Sequence, residues 1–268
     1  MNKKNKRASF TVIELLVVIA IIGLLASVIL VSLTKSRGEA KEKAALQFSS
    51  NVYHALGADL VAFWSFDDSS NLGKDETGAH NGSVEGSVSS SENGIVRGAA
   101  EFSGGYIQVP DSDELDGAGL KNKATFEAWI KTTDNGDHYQ RIFYKTGCYY
   151  FGIYNHKFNY TIRFVGTWFY TRCSANKPYP IEENKWYHYL VTYNGSEIKM
   201  YINGKEISEC TQDTSGENIY SFGQDLRLGY SVTGLLDEVR IYKVPLTEAE
   251  VWRHYVEGAK KRGIAIEY

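Results

Sequence analysis

The run Trp186-Tyr-His-Tyr-Leu-Val-Thr-Tyr193, then Asn194-Gly195, then Glu197-Ile-Lys-Met-Tyr-Ile-Asn203-Gly204 decides the fold class. Two segments rich in β-branched and aromatic residues flank an Asn-Gly pair, the composition of a β-hairpin, and Asn194-Gly195 predicts a type I′ turn. The same texture continues outward on both sides. Upstream, Thr125-Phe-Glu-Ala-Trp-Ile-Lys-Thr132 alternates, Tyr149–Tyr154 with Phe158–Val165 reads as another hairpin, and Val61-Ala-Phe-Trp-Ser-Phe66 reads as a first strand. Downstream, Asp225–Tyr230 and Leu235–Tyr242 supply closing strands. Thr247 with Glu250 three residues later is a capping box that opens a short helix. Short strands divided by Asn-Gly, Gly-Gly and Asp/Ser clusters predict an antiparallel sandwich with Trp64, Trp129 and Trp186 in its core.

Composition agrees. The 268 residues include 19 Tyr, 25 Gly and only 4 Pro, which suits many strands joined by tight turns. A net charge of −3 gives no basic stripe, so nucleic acid is not an expected partner. His54, His80, His138, His156, His188 and His254 share no ligand spacing, and no Cys-x-x-Cys occurs, which sets zinc aside. Cys148, Cys173 and Cys210 allow three pairings. The reading leans to Cys173–Cys210, because both flank the same predicted hairpin.

The amino-terminal sixty residues have a different texture. Met1–Ser9 is short and cationic, and Leu15–Leu33 is uncharged, close to the ~20 residues that cross a hydrocarbon core. Lys3, Lys4, Lys6 and Arg7 place that end in the cytoplasm and the remainder on the far side of the membrane. Glu14, at the lipid boundary, is costly unless paired and is therefore a functional candidate, with a carboxylate snorkelling to the interface as the competing role. Ala40, Ala44, Phe48, Val52, Leu56 and Leu60 then form a stripe at four-residue steps, so a helix from Phe10 to about Asp59 is predicted, roughly 75 Å long.

Ser9, Phe10-Thr11-Val12-Ile13-Glu14 and Gly23 resemble the class III signal of type IV pilins and of the pseudopilins of type II secretion. The resemblance implies a prepilin peptidase that cuts between Ser9 and Phe10 and methylates Phe10. It also implies that Glu14 meets the new amino terminus of a neighbouring pilin subunit. Removing the leader takes four cationic residues, leaving −7 from −3. Ser9 stands where the family usually has Gly, and the proline frequent midway along pilin helices is missing. From Val61 to Val256 the chain resembles a laminin-G-like (concanavalin A-like) jelly roll. The markers are Phe63-Trp-Ser-Phe-Asp67, Ala100–Pro110, Phe126-Glu-Ala-Trp129, Trp186-Tyr-His188, Tyr201-Ile-Asn-Gly204 and Leu236–Tyr242 with Leu246-Thr247. The expected class is α+β: a leader (1–9), a pilin helix (10–60, crossing the membrane over about 10–33 and amphipathic over about 34–60), a β-sandwich (61–256) and a tail (257–268).

Glucanases of this architecture need two carboxylates about 5–5.5 Å apart, supplied by a Glu-x-Asp-x-(x)-Glu strand. No such run occurs, and neither Glu182-Glu183 nor Asp67-Asp68 replaces it, so no catalysis is expected. The resemblance implies a rim Ca²⁺ ion held by Asp75 and Asp237 with a carbonyl from Ser103 or Gly104; turn and strand capping are the competing roles for those acids. Tyr149, Tyr150, Tyr154, Tyr160, Trp168 and Tyr170 crowd one region, where aromatic faces suit stacking on sugar rings, although strand alternation sends about half of them inward. The expected product is a surface filament subunit whose head binds a glycan or a surface protein. A secretion pseudopilin and a non-polymerising membrane-anchored lectin are the alternatives.

Overall fold

The computed structural model describes residues 12–13, 15–19, 21–22, 57–134, 138–166, 170–174, 181–214 and 216–266. The chain divides into two units, Met1–Ala58 and Asp59–Tyr268. In the first, the described residues 12–13, 15–19 and 21–22 are helical and exposed, and Gly57 and Ala58 lie in an exposed turn. No helix among the described residues is long and apolar enough to cross a membrane. Ser9, Phe10 and Glu14, and most of the segments at 10–33 and 34–60, lie outside the described residues.

The second unit is an antiparallel jelly roll. Its described strands are β1 (Leu60–Trp64), β2 (Ser83–Glu85), β3 (Val88–Ser91), β4 (Ala99–Ser103), β5 (Tyr106–Val109), β6 (Ala124–Thr132), β7 (Gln140–Lys145) and β8 (Tyr149–Tyr154). They continue as β9 (Lys157–Arg163), β10 (Tyr170–Ser174), β11 (Tyr187–Tyr193), β12 (Glu197–Ile202), β13 (Lys205–Glu206), β14 (Gln212–Asp213), β15 (Leu226–Tyr230) and β16 (Thr233–Tyr242). One sheet runs β13-β12-β11-β6-β16-β4-β3, with β1 on β16 and β14 on β12; the other runs β10-β9-β8-β7-β15-β5-β2. Phe126, Ile130, Tyr189 and Val191 of the first sheet meet Phe143, Phe151, Phe158 and Ile162 of the second in one buried core. The rings of Phe126 and Phe151 lie 4.4 Å apart across it.

The β8–β9 hairpin turns through Asn155 and Asn155's neighbour His156, both at positive φ. The type I′ expectation at Asn194-Gly195 is corrected. Only Gly195 is left-handed there, and Asn194 Oδ1 instead accepts from the backbone of Ser196 and Glu197. The Asn-Gly pair with both residues left-handed is Asn203-Gly204, between β12 and β13.

Helix α1 (Glu248–Arg262) starts with Thr247 and Glu250 in a reciprocal capping box and stops at Gly263 in the left-handed conformation. It runs six residues past Val256, into the segment expected to be a tail. It covers the outer face of the first sheet, where Trp129, Trp186, Leu235, Tyr255 and Ala259 form a second, smaller core. Contact is close at Gly258, where a Cβ would fall 2.6 Å from the Trp129 ring. With one sheet face covered by α1, the outer face of the other remains for ligands.

Candidate ligand-binding face

Alternation sends Tyr149, Phe151 and Ile153 of β8 inward and leaves Tyr150 half-buried and Tyr154 exposed on the opposite face. Next to them, Arg141 and Tyr144 of β7 are three residues apart and in a regular strand would face opposite ways. A register irregularity between Arg141 and Phe143 brings both to the outer face, opposite Gly152 and Tyr150. In β15, Gly229 at φ 74° lies between Arg227 and Tyr230; a Cβ there would fall 2.2 Å from Phe102.

The result is an interleaved set of guanidinium groups and tyrosine rings. Arg141 lies 4.7 Å from the Tyr144 ring centre, 4.8 Å from Tyr139, 5.5 Å from Tyr150 and 5.7 Å from Tyr230. Arg227 lies 5.3 Å from Tyr106 and 5.4 Å from Tyr230. Tyr139 stacks on Tyr154 at 4.0 Å. Such contacts hold cations over ring faces and stiffen both partners. Beside them opens a cleft of about 240 Å³ bounded by Arg141, Tyr144, Tyr150, Thr161 and Arg172. Its base is secured by Lys145, fully buried and bonded through Nζ to Asp111 and to the Gln224 carbonyl. Rings that keep an exposed edge beside hydrogen-bond donors can stack on a sugar and bond its hydroxyls.

Residues 101–252 match the Concanavalin A-like lectin/glucanases superfamily. The chain belongs to that superfamily. Residues 4–30 match the prokaryotic N-terminal methylation motif, so the pilin-like leader and the laminin-G-like head both stand. No match is found among curated proteins. Among solved structures, domain 4 of the Geobacillus stearothermophilus extracellular arabinanase AbnA, solved with arabinotriose, is 22% identical with a TM-score of 0.57, over 73% of this chain and 97% of that domain. The binding domain of Paraclostridial Mosquitocidal Protein 1 is 15% identical with a TM-score of 0.60, over 75% of this chain and 52% of that one. The botulinum neurotoxin serotype D binding domain is 16% identical with a TM-score of 0.58, over 76% and 52%. This chain spans about half of each toxin domain. At these identities the likeness is one of fold.

Within this superfamily head, the aromatic set named from sequence separates. Tyr149 and Tyr160 are corrected to core: they are 1% and 0% exposed, and their hydroxyls donate to the carbonyls of Leu115 and Cys210. Tyr150 and Tyr154 remain on the open face. Trp168 lies outside the described residues, and Tyr170 stands opposite Arg163 in the β9–β10 register. Sequence reasoning missed Tyr139, Tyr144, Tyr230, Tyr106 and the arginines, because irregular β7 and β15 hide their shared face from period-2 counting.

The residues assigned to calcium do not fit an ion. Asp75 Oδ1 accepts from the backbone of Phe63 and Thr77, and Oδ2 from His80 N and the Thr77 hydroxyl. Those four bonds fill its lone-pair positions. Asp237 accepts from Ile95 N, Val96 N and Glu238 N. Burial and Glu238 push its carboxyl up to about 8 against those bonds. Ser103 pairs with Thr233, four residues and so about 13 Å along β16 from Asp237, far beyond shared coordination. Both acids hold loops to strands.

Histidines without a sequence pattern do converge. Glu127, fully buried under α1, lies 2.9 Å from His188 Nε2, 3.0 Å from His254 Nδ1 and 3.7 Å from Arg240. Burial pushes the Glu127 carboxyl up, but His254, His188 and Arg240 overcome it and hold it well below the usual range. Burial lowers His188 in spite of Glu127. This network joins α1 to β6, β11 and β16 and has no opening among the lining of the cleft.

Proposed function

We propose that this chain is a type IV pilin-like subunit that is cut between Ser9 and Phe10, anchored in the membrane by residues 10–33, and assembled into a surface filament. Its head binds extracellular glycans through the tyrosine–arginine face. The observation that carries this reading is the joining, on one chain, of a methylation motif and a lectin-superfamily head with an aromatic face left open. Glu14 neutralises the amino terminus of the adjoining subunit, because an unpaired carboxylate at the lipid boundary is costly. The arabinotriose complex of the AbnA domain favours a saccharide on this fold. The head is read as a binder, since the sequence has no Glu-x-Asp-x-(x)-Glu run to supply the paired carboxylates that glycoside hydrolysis uses.

Intact-mass analysis of protein isolated from cell envelopes tests the first half. Loss of residues 1–9 and one added methyl group are expected. A chain still beginning at Met1 reduces the reading to a static anchored lectin. A glycan array probed with the same protein tests the second half, and silence across it would remove the lectin role while leaving filament assembly standing.

A further inference from the structure

We propose that the open face takes an acidic glycan, a polyuronate-type chain whose carboxylates seat on Arg141 and Arg172 while its rings lie against Tyr144 and Tyr150. This rests on the reading of that face as the glycan site and names the class of ligand.

Charge carries the argument. Of 29 Lys/Arg and 32 Asp/Glu residues, 8 and 3 lie in residues 1–58; 21 against 29 remain, so the head has a net charge of −8. An acidic head nonetheless gathers Arg141, Arg163, Arg172 and Arg227 on one sheet face. None of the four has a carboxylate partner among the described residues. The neighbouring acids are already engaged: Asp111 with Lys145, and Asp225 with Gln108 Nε2 at 2.8 Å and Asp111 N at 2.9 Å. Nε of Arg141 and of Arg163 is shielded from solvent without a hydrogen-bond partner. Both groups are held by tyrosine rings instead, Arg141 by Tyr139 and Tyr144 and Arg163 by Tyr220 at 4.1 Å, so their charge is positioned without being neutralised by a carboxylate among the described residues. A neutral sugar requires no such accumulation of like charge.

Geometry chooses the ligand further. A guanidinium presents a planar fork that matches a carboxylate with two parallel bonds. From β5 to β10 the face crosses five strand spacings, about 24 Å, which suits a chain of several rings better than a single ion. In the cleft, Arg141 and Arg172 border the same space as Tyr144, Tyr150 and the Thr161 hydroxyl, so acid group and ring meet complementary surfaces together. Arg141 is recessed among four tyrosine rings, which suits a narrow polymer entering the cleft better than a flat lipid surface.

Full-length protein in a neutral detergent is tested against oligogalacturonate, its methyl ester and a sulfated galactan of similar length, with an array of neutral glycans alongside. Oligogalacturonate is expected to bind at least about tenfold more tightly than its ester, and to lose about tenfold on Arg172→Gln, the effect of one charge-assisted bond pair. Arg172 is exposed on edge strand β10, so that substitution should leave the melting temperature unchanged; Arg227→Gln, on β15, is the second variant. Arg172→Lys should recover only part of the affinity, because it lacks the fork. Equal affinity for acid and ester overturns the acidic-ligand proposal and leaves the glycan reading intact. Sulfated galactan bound as tightly as oligogalacturonate overturns the carboxylate-specific seat in favour of general polyanion attraction. Silence toward all three overturns the proposal, and the neutral array then reports whether the glycan reading survives.

Discussion

At the scale of single residues, the clearest lesson is how one carboxylate is used. Asp75 and Asp237 sit in the right sequence contexts for a rim ion, yet backbone N–H groups consume their oxygens. Millimolar Ca²⁺ should therefore leave the melting temperature of the head unchanged, as scanning calorimetry would show; a rise of several degrees would restore the ion. Asp75→Ala should destabilise by about 3 kcal/mol in denaturant titration, because it strands buried donors of Phe63 and His80. Tyr149 and Tyr150 make the same point for ligands. They are adjacent and chemically identical, but only the strand's pleat decides which one is core. That parity was legible in the sequence only as a statement that half the tyrosines face inward.

At the scale of elements, β6 is the informative case. Thr125–Thr132 alternates in sequence as if one face were wet, yet Glu127 and Trp129 on that face are buried beneath α1. The capping box at Thr247 announced the helix; where it lands could not be read, because Glu127 and His254 are 127 residues apart. The burial has a pH consequence. In the fold, His188 is depressed below 6.5 and Glu127 well below 4.5. For both, the unfolded chain binds more protons, so stability rises with pH across those windows and is lost as pH falls from about 6.5 downward. The melting temperature should decline between pH 7 and pH 4. Glu127→Gln should lower it at pH 7 and flatten the acid limb; an unchanged acid limb in that variant would assign the loss elsewhere. Elements also explain the missed arginines. Period-2 counting works for β8, whereas the irregularity in β7 and the left-handed Gly229 in β15 change the parity without a strong sequence mark.

At the scale of the molecule, a disulfide between Cys173 and Cys210 ties edge strand β10 to the turn before β14, closing 37 residues with Cα atoms 5.4 Å apart. Reduction should lower stability by about 3–4 kcal/mol, measured by urea unfolding with and without reductant. Cys148 should not interfere: burial pushes its thiol up to about 11, so little thiolate is present to exchange. By itself the sequence determined the class of the head and the identity of the amino-terminal motif, because both are written in local signals: hairpin turns, strand composition, an apolar run behind a cationic leader. Tertiary structure alone decided which tyrosines meet solvent, that the acids proposed for calcium are filled by backbone donors, and that arginines from β7, β9, β10 and β15 share one face. Those outcomes depend on strand order, bulges and long-range pairing, and contacts between residues a hundred positions apart leave no periodic trace in a chain.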